Sequence, residues 1–97
     1  MVNETRSEPY NPSDYLKTPE DIAGYLNAAL EDGDERLLLI ALRNAANAIG
    51  GMTELSRRTG LSRETLYRTL SEGGNPRLSS LKAIFGAFGV EIAVRAA

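Results

Sequence analysis

The chain has 97 residues, eleven basic and thirteen acidic side chains, a formal net charge of −2 and 42% hydrophobic content, which suits one small domain with a modest core. It has no cysteine and no histidine, so a disulfide framework, thiolate metal sites, a cysteine nucleophile and the commonest general base and metal ligand are all excluded. The polar, acidic N-terminus lacks a signal-like apolar region, and no apolar run nears the roughly 20 residues of a membrane span; a soluble, cytoplasmic protein with no membrane contact is expected.

Residues 1–17 contain Pro9 and Pro12 without helical period and read as an extended N-terminal arm, anchored by Tyr10, Tyr15 and Leu16. Thr18-Pro19-Glu20-Asp21 is a helix start: threonine caps free N–H groups, proline suits the first helical position, and two acids complement the positive dipole end. Ile22, Tyr25, Leu26, Ala29 and Leu30 continue at helical spacing until Glu31-Asp32-Gly33. Asp34 caps a second helix with Leu37, Leu38, Ala41, Leu42, Ala45 and Ile49 on a wide apolar face, ended by Gly50-Gly51. Leu37 to Ala41 alone would also suit a buried strand, but the longer period and the alanines favour helix. Thr53 caps a very short helix bearing Leu55 and ending at Thr59-Gly60. Ser62 caps another, Arg63 to about Ser71, with Leu66 and Leu70 inward. After the loop Glu72-Gly73-Gly74-Asn75-Pro76, Leu78, Leu81, Ile84, Phe85 and Phe88 mark a fifth helix closed by Gly89.

Residues 18–89 thus form an all-α, five-helix domain. In residues 90–97, Val90-Glu91-Ile92-Ala93-Val94 alternates with period two, the pattern of a short β-strand. The chain offers no second strand, so this one is expected to pair with its own copy across a two-fold axis through Val90, Ile92 and Val94. The alternative is a loose tail packed on the helices.

Charge is divided by position. Residues 1–35 hold two basic and nine acidic side chains, −7, and the remainder nine basic and four acidic, +5. Basic density peaks from Arg57 to Arg77, with five arginines against two glutamates. Such asymmetry points to separate interaction surfaces.

Thr53 to Ser71 carries the most specific pattern: two short helices about a turn at Gly60, the helix-turn-helix unit whose second helix enters the DNA major groove. Ser56 is small enough for a close crossing, Gly60 relieves the backbone, and Leu55, Leu61 and Leu66 fill the wedge. Thr59 and Thr69 stand where apolar residues are more usual. With Leu66 and Leu70 inward, Arg63, Glu64, Thr65 and Arg68 are the candidate base-reading residues. Arginine can grip guanine O6 and N7, glutamate can accept from cytosine N4, and threonine can touch a thymine methyl. Thr53, Arg57, Arg58, Tyr67, Asn75 and Arg77 flank this surface and suit phosphate contacts, which orient without specifying sequence. The plainer alternative is that Glu64 and Arg68 are an i,i+4 surface pair and the arginines are merely solvated.

Three segments, Tyr15 to Leu26, Gly60-Leu-Ser-Arg-Glu-Thr-Leu-Tyr-Arg68 and Leu70-Ser-Glu-Gly-Gly-Asn-Pro76, resemble the HigA-like antitoxins of bacterial type II toxin–antitoxin modules, with Xre/lambda-repressor-type helix-turn-helix domains. The resemblance spans Tyr15 to Gly89. It implies a compact lambda-repressor-like domain that binds a palindromic double-stranded DNA operator as a homodimer and represses its own operon. It also implies a small basic RelE/HigB-like toxin partner, an mRNA-cleaving protein neutralised by direct binding. The acidic N-terminal segment suits a basic partner electrostatically, and Asp14, Tyr15, Leu16, Glu20, Asp21 and Tyr25 are its candidate contacts, although Tyr15, Leu16 and Tyr25 would equally serve the chain's own core. A prophage-type Xre repressor without a toxin, and a dimeric interaction module that no longer binds DNA, are the competing readings. No enzyme activity, cofactor or metal is expected.

Overall fold

The Thr18 hydroxyl accepts the Asp21 N–H at 3.1 Å, and the Asp21 carboxylate accepts the Thr18 N–H at the same distance. This reciprocal cap starts α1 (Pro19–Asp32), where the Thr-Pro-Glu-Asp sequence predicts a helix. A computed structural model of the protein describes residues 11–97. In it α1 is followed by α2 (Glu35–Ala48), α3 (Met52–Thr59), α4 (Arg63–Thr69) and α5 (Leu78–Ala87), so the described residues form an all-helical fold of five α-helices.

α2 runs through the centre. It packs against α1 and α3, while α3 packs in turn against α4 and α5. The core joins Ile22 and Leu26 of α1, Leu39, Leu42 and Ala45 of α2, Leu55, Leu66 and Leu70 of the short helices, and Ile84, Phe85 and Phe88 at the C-terminal end. Among the described residues no polar or charged side chain is buried. Each large side chain among these contributes roughly 1.5–3 kcal/mol through burial.

The structure differs from the sequence expectations in four places. Residues 1–10 of the arm, Tyr10 included, lie outside the described residues. The rest is not simply extended: Pro12–Tyr15 form a 3₁₀ turn capped by the Asn11 side chain, and this turn packs on α2 with Leu16 buried behind it. The buried face of α2 keeps the expected Ala41, Leu42 and Ala45 but also takes in Leu39 and Ala46, while Leu38 and Ile49 are only partly buried and Leu37 is exposed. The cap of α3 is Gly51, two residues before the predicted Thr53, so α3 begins at Met52 and no side-chain hydrogen bond caps it.

The fourth difference is a correction. No strand is present among the described residues, and 90–97 carry no regular secondary structure. Gly89 turns into the left-handed region, which lets the Gly89 N–H bond the Gly86 carbonyl and the Val90 N–H bond the Phe85 carbonyl, each at 3.0 Å. The backbone of Val90 therefore finishes α5 instead of opening a ladder. Beyond it Ile92 is half-exposed and Val94 almost fully exposed, and the tail reaches α1 through an exposed Arg95–Glu31 ion pair at 3.5 Å. Period-two alternation alone could not supply the pairing strand that the backbone of residues 90–94 would need.

Candidate nucleic-acid interface

Three hydrogen bonds fix the turn between α3 and α4. The Ser56 hydroxyl donates to the Leu61 carbonyl at 2.6 Å. The Thr59 hydroxyl donates to the Leu55 carbonyl at 2.8 Å and accepts the Leu61 N–H at 3.1 Å. Gly60 lies between them at φ 78°, a conformation that costs other residues strain. Thr59, unusual as a sequence choice, is thus the side chain that ties the turn to the preceding helix. Ser56 owes its place to a bond as well as to its size. Ser62 then caps α4, its hydroxyl accepting the Thr65 N–H at 3.0 Å and donating to the Thr65 hydroxyl at 2.8 Å.

With Leu66 and Leu70 fully buried, α4 can present only its other arc outward. Arg63, Glu64, Tyr67 and Arg68 are exposed there, and Thr65 is half-buried with its hydroxyl engaged by the cap. Arg63 donates to the Thr53 hydroxyl at 3.1 Å, which links the first turns of α3 and α4. Thr65 and Arg68 line one polar groove with Asn75 and Arg77, its floor completed by Thr69, Ser71, Gly73, Gly74 and Ser80. Two candidate base-reading residues and two candidate phosphate contacts, up to twelve positions apart, therefore share one concavity.

Arg57 and Arg58 are placed differently. Arg57 forks onto the Glu54 carboxylate, its Nε donating at 3.0 Å and an Nη donating to the second oxygen. Arg58 donates to Glu54 from its Nε at 2.7 Å and to the Ala87 carbonyl, at the end of α5, from an Nη at 2.9 Å. Hydrogen bonds from Arg57 and then Arg58 lower the pKa of Glu54 from 4.5 to about 2, and the carboxylate raises that of Arg57.

Arg43 is a contributor that sequence reasoning missed. Its guanidinium donates from α2 to the Leu70 carbonyl, at the C-terminal end of α4, and so braces the outward-facing helix from behind. Its position beside the buried Leu42, Ala45 and Ala46 was the available signal, but a lone arginine in a helix does not disclose a partner 27 residues away.

The acidic N-terminal face is only partly assembled. Asp14 and Tyr15 are exposed on the 3₁₀ turn, and Glu20 is exposed at the start of α1. Leu16 is buried in the chain's own core. Asp21 serves the α1 cap, accepting also the Lys17 N–H at 2.9 Å. Tyr25 is half-buried, its hydroxyl accepting from the Asn44 amide at 2.8 Å and so tying α1 to α2. Asp34 caps α2; its pKa is lowered chiefly by the Arg36 backbone N–H, then by the Arg36 side chain.

Among the described residues no helix is long and apolar enough to cross a membrane, and no group of three or more acidic side chains is placed to hold a metal. A family model described as "Probable addiction module antidote protein" matches residues 6–96. A protein of Haemophilus influenzae, described only as an uncharacterized protein, is 33% identical over 86 residues, covering 89% of this chain and 88% of its own length. No solved structure matches the chain. With the family model spanning nearly the whole sequence, the chain belongs to the family of probable addiction module antidote proteins.

Proposed function

We propose that the protein is a HigA-like antitoxin of the Xre/lambda-repressor type, a DNA-binding protein and not an enzyme, acting in the cytoplasm. It binds an operator in its own promoter region as a homodimer, represses its operon, and neutralises a small basic RelE/HigB-like toxin by direct contact. The observation that carries the DNA-binding reading is the shared groove of Thr65, Arg68, Asn75 and Arg77, beside the exposed first turn of α4. In a helix-turn-helix, base edges are read from that first turn, and the flanking basic and amide groups hold phosphates. Arg63 and Glu64 supply the donors and acceptors that the major groove distinguishes. Arg68 and Thr65 share the groove with Asn75 and Arg77, Thr53 is bonded to Arg63, and Tyr67 is exposed on the same helix.

An antidote implies a toxin, and the family description favours this reading over a repressor that has none. Asp14, Tyr15 and Glu20 are the exposed candidates for the toxin contact, acidic and aromatic side chains of a kind suited to a basic partner. Co-expression with the adjacent small open reading frame tests it. A stable complex lost when Asp14 and Glu20 are both replaced by lysine supports the assignment; a complex that survives the double reversal removes both residues from the interface. Recovery of the antitoxin alone from wild-type co-expression would favour the repressor without a toxin.

A further inference from the structure

Arg57 lies in the most basic stretch of the chain and its side chain is 70% exposed, yet both carboxylate oxygens of Glu54 hold its guanidinium. The fork of arginine on a carboxylate uses the same donors, in the same geometry, as its grip on phosphate. Glu54 and a DNA phosphate therefore compete for one set of N–H groups. Glu54 is also fixed from a second side, because Arg58 donates to it at 2.7 Å while anchored on the Ala87 carbonyl. The Glu54 side chain is less exposed than that of Arg57, at 26%, and hydrogen bonds from Arg57 and Arg58 hold its pKa down to about 2.

We infer that Glu54 is a positioning residue that holds Arg57 off the DNA backbone and so sets the strength of sequence-independent DNA binding. The inference rests on the DNA-binding reading above. It makes the number of phosphates engaged smaller than the number of arginines near α3 and α4, and it leaves discrimination among sequences to α4.

The test is a fluorescence-anisotropy titration of a random-sequence duplex over a range of salt concentrations, with wild type, E54Q and E54Q/R57Q. E54Q is expected to bind a few-fold more tightly at low salt, with the slope of log K against log salt steeper by about 0.9, the contribution of one added phosphate contact. The double variant is expected to return to the wild-type slope, which a merely structural effect of E54Q would not produce. Salt-dependent binding by wild type with an unchanged slope in E54Q overturns the inference alone. Absence of salt-dependent binding by wild type overturns the DNA-binding reading and this inference with it. Should E54Q lose its helical circular dichroism, the Arg57 Nε–H resonance of ¹⁵N-labelled wild type decides. It is expected to stay in place on adding random duplex while that of Arg77 moves, and equal movement of the two would overturn the inference.

Discussion

Replacing Gly74 by alanine is expected to destabilise the fold and weaken DNA binding together. Gly74 sits in the loop between α4 and α5, where its N–H donates to the Ser71 carbonyl at 2.8 Å. A Cβ there would stand 2.3 Å from the Thr69 carbonyl oxygen and 2.9 Å from that of Ser71. Both obstacles are backbone, and one belongs to the last residue of α4, so the loop must shift bodily. Overpacking of this kind costs about 1–3 kcal/mol, and in a domain of this size each kcal/mol lowers Tm by about 4–8 °C. The shift also displaces Asn75 and Arg77 from the groove they share with Arg68. Gly24, in the middle of α1, has nothing within 4 Å of its Cβ position, so G24A is expected to stabilise by roughly 0.5–1 kcal/mol. Thermal unfolding by circular dichroism and anisotropy titration on duplex DNA read the two effects. A G74A protein that melts with wild type and keeps its DNA affinity would refute the close approach and the role given to this loop.

T59V keeps shape but leaves the Leu61 N–H without its acceptor, and is expected to cost about 1–3 kcal/mol in urea unfolding. The lowered pKa of Glu54 makes a pH prediction. Its stabilising contribution is complete above its ordinary value of 4.5 and is lost as pH falls towards about 2, because below 4.5 the unfolded chain takes up the proton first. Asp34 acts in the same direction. Wild-type Tm should therefore fall more steeply than that of E54Q across this acid range; parallel curves would count against the clamp. Deleting residues 91–97 removes an exposed tail and one exposed ion pair, and is expected to change stability by no more than about 1 kcal/mol in chemical unfolding.

Helix starts were the most legible features, because Thr18, Asp34 and Ser62 each announce a cap through local chemistry, and each caps its helix through its side chain. The inward pair Leu66 and Leu70 was legible for the same reason, since helical spacing alone fixes which arc is outward. What local pattern could not reveal depends on distant partners. Arg43 finds the Leu70 carbonyl, Arg58 the Ala87 carbonyl and Tyr25 the Asn44 amide, each pairing set by how the helices pack. Glu54 was legible as a charge, but its hold on Arg57 separates two arginines that sequence alone groups with Asn75 and Arg77. The tail shows the opposite limit. Its alternation is genuine, but Val90 is claimed by the end of α5, and no strand follows among the described residues.

The central claim, that α4 reads a specific DNA sequence, is tested most directly by titrating wild type, Arg63→Ala and Arg77→Ala on a duplex from the protein's own promoter region and on a scrambled duplex. Wild type should prefer the promoter duplex. Arg63→Ala should lose about 1–3 kcal/mol on that duplex and much of the preference, whereas Arg77→Ala should weaken both duplexes alike. Equal affinity of wild type for the two duplexes, or equal losses on both for Arg63→Ala, would contradict the account.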